Sequence, residues 1–148
     1  METLEPILKE HSFFKDLDKK YLDIIIGCAS NVRFKEGEII LKEGEPADNF
    51  YLIRHGKVAI YIAKPSSIII QTIGEGDILG WSWLVPPHRY RFSARAFEDT
   101  RVIALDGKCL RDKCEKNTDL GYHLLKRFVT VITQRLEATR VQILDIYK

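Results

Sequence analysis

Apolar positions change period twice along the chain. Up to about Ala29 they recur at helical spacing: Leu4 to Glu10 predicts a short helix, and Ser12 followed by Phe13, Phe14, Leu17, Leu22 and Ile25 predicts further helical turns. Between Val32 and Leu105 the pattern shortens to β-branched and aromatic runs near residue 34 and over 38–41, 50–54, 58–63, 68–73, 92–97 and 101–105. Gly37, Gly44, Gly56, Gly74 and Gly76 fall between these runs, where a turn has to form. Closely spaced short strands of this kind predict a sandwich or a small barrel. After Leu105 the helical period returns. Asp106 predicts the cap of a short helix reaching about Cys114, and Thr118 or Asp119 that of a long one running to Ile146.

That last helix would be roughly 40 Å long at about 1.5 Å per residue, more than a domain of this size needs for its own core. Phe128, Ile132, Leu136, Thr139, Ile143 and Ile146 follow spacings close to a coiled-coil seam, while Leu124, Leu125, Val131 and Leu144 thicken the neighbouring face. One face can then cover the barrel and another meet a partner helix, so a homodimer through this helix is expected. A single wide core-facing stripe is the alternative.

With 148 residues, 45% of them hydrophobic and 30% charged, the composition is that of an ordinary globular chain, and one domain over 1–148 is expected. Runs such as Ile24 to Ile26 and Ile68 to Ile70 are too short to span a bilayer. The first twenty residues carry acids where a secretory leader would be basic, which predicts a cytoplasmic protein; the initial methionine fits an intact chain and equally the start of a longer one. The net charge of +2, from 23 basic and 21 acidic residues, is spread along the chain and leaves no footprint for nucleic acid. Cys28, Cys109 and Cys114 match no metal or disulfide pattern and are expected to be buried free thiols.

Two stretches carry a family pattern. The run GEIILKEGEPADNFYLIRHGKVAIY, from Gly37 to Tyr61, and the downstream GEGDILG, from Gly74 to Gly80, agree in order with cyclic-nucleotide-binding domains, which the chain resembles over most of its length. Phe13, Phe14 and Leu17 upstream and Ala96, Asp99 and Thr100 to Leu105 downstream extend the match. The resemblance implies a mainly β protein: a double-stranded jelly-roll β-barrel over 31–106, N-terminal helices over 1–30, and C-terminal helices over 107–148, the last of them long. It also implies that the phosphate-binding cassette is GDILGWSWLVPPHRYRFSARA, residues 76–96.

In that family a helix start in the cassette offers backbone N–H groups to the cyclic phosphate, a glutamate after the second glycine accepts the ribose hydroxyl, and an arginine opening the next strand pairs the phosphate. Here the glutamate position after Gly80 is Trp81, whose ring nitrogen cannot accept a hydrogen bond. Counting back from Ala96, the arginine position is Tyr90, flanked by Arg89 and Arg91. Strand alternation places neighbours on opposite faces, and only a one-residue register shift would bring Arg89 into the pocket. Losing two charged hydrogen bonds at about 1.5–3 kcal/mol each removes roughly a hundred- to ten-thousandfold in affinity. Cyclic AMP is therefore expected to bind weakly, and another small anionic ligand is the alternative.

The candidate ligand-binding residues are Gly80, Trp81, Ser82, Trp83, Arg89, Tyr90 and Arg91. Trp81 and Trp83 either offer an aromatic face to a ligand or fill the pocket; Arg89 and Arg91 either hold an anion or are solvated. His11, His55, His88 and His123 are scattered with no ligand spacing, so no metal site is expected, and no activated nucleophile or phosphate-cradling GxxxxGK loop suggests catalysis. A haem role for His88 or Cys109 has no support in the sequence. Too few residues follow Ile143 for a helix-turn-helix, so no direct DNA binding is expected. Two functions remain: a stand-alone regulatory module whose ligand biases the C-terminal helix toward a partner protein, or a ligand-free interaction and scaffolding dimer with a collapsed pocket.

Overall fold

The computed structural model describes residues 4–63 and 67–147. Helix α1 (Leu4–Glu10), a single 3-10 turn (Ser12–Phe14) and α2 (Lys19–Ile26) precede eight strands: β1 (Ala29–Phe34), β2 (Ile39–Leu41), β3 (Asn49–His55), β4 (Lys57–Ile62), β5 (Ile68–Gly74), β6 (Ile78–Leu79), β7 (Ser93–Ala96) and β8 (Thr100–Asp106). Helices α3 (Gly107–Lys116) and α4 (Thr118–Ile146) close the chain. The strands form two antiparallel four-stranded sheets ordered β1-β8-β3-β6 and β2-β7-β4-β5, the two-sheet arrangement of a jelly roll.

The inner strands read as near-continuous apolar runs because both of their faces are covered. In β3, Phe50 to Ile53 are all buried, and in β4 so are Val58 to Tyr61. β5 is an edge strand whose Ile68 and Ile69 are exposed. Strand β6, only two residues long, pairs Leu79 with Tyr51 and Ile78 with Leu52.

Side-chain caps set the helix starts. The Asp18 carboxylate accepts from the Lys20 N–H, and that of Asp106 from the Cys109 N–H at 3.0 Å, as the sequence predicts for α3. For α4 the cap falls on Asn117 rather than Thr118 or Asp119: its Oδ1 accepts from the Leu120 N–H at 3.1 Å, so the helix starts one residue early. The N-terminal helical turns end at Ile26, and β1 begins already at Ala29.

Two expectations are corrected here. Cys28 and Cys109 are not free thiols; they form a disulfide that joins the end of the α2 region to α3 across 81 residues, with Cα atoms 5.8 Å apart. Cys114 keeps its thiol, and burial, with Glu115 nearby, pushes its pKa up to about 11. Phe128 does not belong to an exposed seam: it is buried, edge-on to Phe13, Phe50 and Trp83 with ring centroids 5.0–5.5 Å away. With Leu120 and Leu124 it forms the core-facing stripe of α4, and Val131 packs partly against the same cluster.

Ile132, Leu136 and Ile143 do lie exposed. They belong to a set made of Leu125, Val129, Ile132, Leu136, Thr139, Ile143 and Ile146, alternating by four and three residues, every one of them exposed. No helix among the described residues is long and apolar enough to cross a membrane.

Candidate functional site

The cassette leaves β6 through Gly80, whose φ of +94° is a conformation that a side chain would strain. Residues 81–85 then make one tight turn, with N–H to O distances of 3.1 Å from Leu84 to Trp81 and 3.3 Å from Val85 to Ser82. The chain returns antiparallel to the segment before β3: Gly44 N–H donates to Tyr90 O at 2.8 Å, Tyr90 N–H to Glu45 O at 2.9 Å, and Ala47 N–H to His88 O at 2.7 Å.

Trp83 points inward and is fully buried, stacked on Phe50 with centroids 4.7 Å apart and planes within 13°. Gly107 makes room for it, since a Cβ there would come within 2.8 Å of the Trp83 Cβ. Arg111 donates to the Trp83 carbonyl from α3. The indole Nε1 of Trp83 has no hydrogen-bond partner among the described residues. Ser82 is buried beside it.

Trp81 points the other way. It is half-buried, meets Phe92 edge-on at 5.8 Å, and carries the Arg135 guanidinium of α4 over its ring at 5.1 Å. Tyr90 is buried with its hydroxyl between two backbone groups of one residue, donating to Asn49 O at 2.7 Å and accepting from Asn49 N–H at 3.3 Å. Burial raises its pKa well above the usual phenol value. Arg89 is exposed and donates to Gly44 O at 2.8 Å, and Arg91 is exposed. The candidate residues are thus neighbours in one segment, but their side chains diverge: Trp83 enters the core, Trp81 meets α4, Tyr90 ties down the start of β3, and Arg89 binds the backbone on the outer side.

A cavity of about 450 Å³ lies elsewhere, between α4, β5 and the β5–β6 turn. The first residues of the cassette, Gly76, Asp77 and Ile78, line it, whereas the candidate ligand-binding residues from Gly80 to Arg91 do not. Its walls include Arg127, Arg135, Gln134, Gln71, Asp77 and Phe13. Arg127 donates to Phe13 O at 2.7 Å, and its pKa is lowered chiefly by burial. Arg135 has its Nη1 buried without a hydrogen-bond partner among the described residues. Burial brings its pKa down to about 10, against the pull of Asp77. Asp77 itself accepts from the Gly74 N–H at 2.9 Å. Beyond the cavity, Gln142 donates to Ile70 O at 2.6 Å and fastens α4 to the edge strand.

The sequence reading passes over Arg135 because it sits beside Leu136 in a helix rich in charge. Only the rotation of α4, fixed by Phe128, turns it inward. Among the histidines, His11 is buried: its Nδ1 accepts from Phe13 N–H at 3.2 Å and its Nε2 lies 3.2 Å from Ile53 O. Desolvation lowers its pKa. No group of three or more His, Cys, Asp or Glu side chains among the described residues could hold a metal ion.

Residues 31–117 match the cyclic nucleotide-binding domain family, and the chain belongs to that family. A putative cyclic nucleotide-binding protein from Geobacter metallireducens GS-15 is similar in structure with a TM-score of 0.82 at 30% identity, over 92% of this chain and 99% of that one. A cyclic nucleotide-binding domain from Methylobacillus flagellatus KT superposes with a TM-score of 0.83 at 20% identity, over 98% of this chain and 86% of its own. The CRP-like cAMP-activated global transcriptional regulator of Mycobacterium tuberculosis is 24% identical over 97% of this chain; the chain spans 63% of that relative's length.

Proposed function

We propose that this chain is a regulatory module of the cyclic nucleotide-binding family that does not hold a cyclic nucleotide through the cassette side chains its relatives would use. The observation that carries this is the pair of substitutions in place: Trp81 lies under Arg135, and the Tyr90 hydroxyl is committed to both backbone groups of Asn49. Neither can accept a ribose hydroxyl as a carboxylate would or pair a phosphate as a guanidinium would. Gly80, Ser82, Arg89 and Arg91 would then serve to shape the cassette and not to bind a phosphate.

The output is the position of α4, which a ligand biases by contacting one arrangement of the helix better than another. Two copies would associate through the exposed set from Leu125 to Ile146, whose alternation by four and three is that of a self-complementary helical seam. Size-exclusion chromatography with light scattering checks this: a dimer is expected, and Leu136→Lys is expected to give monomers of unchanged helicity. A monomeric wild type would remove the dimer from this reading.

Titration calorimetry with cyclic AMP and cyclic GMP, with tryptophan emission followed in parallel, tests the cassette. No saturable heat is expected below about 1 mM, a binding free energy of about 4 kcal/mol. Micromolar binding that Arg135→Gln leaves unchanged would refute the proposal. A second reading, a scaffolding dimer without any ligand, is favoured by the complete burial of Trp83, which fills the cassette's inner side. It predicts that no small molecule changes the dimer.

A further inference from the structure

We infer that the cavity beneath α4 is a binding site for a small organic anion, a carboxylate or phosphate ester carrying an apolar body, with Arg135 as its charged anchor. The cavity, at about 450 Å³, has the volume of a metabolite-sized site. Its polar groups are those that grip an anion: the Arg127 and Arg135 guanidiniums, with Gln71, Gln134 and Thr130 around them. Phe13, Ile73, Ile78 and Val131 supply apolar wall for the rest of the ligand. Asp77 is the one carboxylate in the lining, so two positive groups less one negative leaves a net charge of +1.

The Arg135 Nη1 is a buried donor without an acceptor. Such a group loses its hydration on folding, and the Trp81 ring and the charge of Asp77 offset only part of that until an acceptor arrives. An oxyanion in the cavity supplies that acceptor with a charge-assisted hydrogen bond. With a pKa of about 10, Arg135 stays protonated at neutral pH and is ready to make it. Its ring partner Trp81 places an emitting group beside the proposed ligand.

The site also remains open in the proposed dimer. At about 3.6 residues per turn, Arg127, Thr130 and Gln134 flank the core-facing stripe of α4 on one side, and Leu125, Val129, Ile132 and Leu136 flank it on the other. A ligand here touches α4 and the β5–β6 turn together, so its binding energy reads out directly in how the helix sits on the sheet.

The test uses the full chain at constant ionic strength set with sodium chloride, with benzoate and inorganic phosphate as probes, followed by calorimetry and tryptophan emission. Benzoate is expected to saturate below about 1 mM, with phosphate weaker and a change in emission for both. Arg135→Gln is expected to raise the benzoate midpoint at least tenfold. Thr130→Asp, which adds a negative charge at an exposed wall position and leaves Arg135 in place, is expected to do the same. Absence of saturable binding by wild type, or unchanged binding by either variant that melts within a few degrees of wild type, overturns the proposal. Cyclic AMP and cyclic GMP are themselves anionic phosphate esters, so the variant separates the two readings: cyclic-nucleotide binding that Arg135→Gln weakens belongs to this cavity, and binding that it leaves unchanged belongs to the cassette and refutes the proposed function alone.

Discussion

The two sides of Trp81 are built on opposite principles. On the cassette side, Trp83 is pressed against Phe50 and Phe128, and the Tyr90 hydroxyl has both a donor and an acceptor on Asn49. On the α4 side there is open volume, two guanidiniums and, in Arg135 Nη1, a charged donor without a hydrogen-bond partner among the described residues, where the packed side's unpaired donor, Trp83 Nε1, is neutral. Packing to interior density leaves no room for a guest, whereas an unsatisfied charge beside a cavity is a cost that a guest can remove. Under the proposed function, the capacity to respond lies with the helix that covers the cassette.

Breaking the packed side should cost most. Trp83→Ala removes a fully buried indole stacked on Phe50, and a loss of about 3–5 kcal/mol is expected in urea denaturation; a loss below about 1 kcal/mol would mean that the cassette is not part of the core. The paired change Cys28→Ser and Cys109→Ser unlinks α3, which supports Trp83 through Gly107 and Arg111. About 2–4 kcal/mol is expected, and mass spectrometry of the alkylated, unreduced chain should show only Cys114 labelled. Tyr90→Phe leaves the Asn49 backbone groups without the hydroxyl that serves both. The expected loss is about 1–2 kcal/mol, with no effect on benzoate binding, since Tyr90 does not line the α4 cavity.

The smallest effect concerns His11, next in the chain to the cavity-lining Ser12 and Phe13, and depends on pH. His11 is held neutral by burial, so its folded pKa lies below the ordinary 6.5. The unfolded chain therefore binds the proton first as the medium acidifies. Stability from this residue is complete above pH 6.5 and is lost as pH falls from there to the folded value. His11→Asn keeps an acceptor for the Phe13 N–H and is expected to flatten the pH dependence of the melting temperature between 6.5 and 5; an equally steep profile would assign that slope to another group.

The order of helices and strands was legible because the period of apolar residues switches cleanly at Val32 and Leu105, and because Asp106 has one obvious role as a cap. Strand β6 was hidden by its length, two residues between glycines. The disulfide was hidden by separation: Cys28 and Cys109 lie 81 residues apart and meet only when β1 and α3 are in place. Of the residues expected to form a seam on α4, Ile132, Leu136, Thr139, Ile143 and Ile146 lie exposed and only Phe128 belongs to the core. Phe128, Ile132 and Leu136 fit the spacing, but so do Leu125 and Val129, and only the aromatic cluster of Phe13, Phe50 and Trp83 decides which stripe is swallowed. Arg135 follows from the same rotation. Trp81 and Tyr90 were legible as departures only because the family resemblance marks out the cassette along which to count; what each side chain does instead required the neighbours.

Helix α4 can also be viewed as a lever. Its fulcrum is Phe128, wedged in the aromatic cluster, and its arm runs the 18 residues to Ile146, about 27 Å at ~1.5 Å per residue. A tilt of about 5° at the fulcrum carries the tip about 2 Å, close to half the rise of one helical turn. The Gln142 bond to Ile70 is the latch near the end of that arm. In the proposed dimer, a small widening of the space around Arg135 would by this leverage shift the outer residues of the exposed stripe by a distance that interlocking side chains notice.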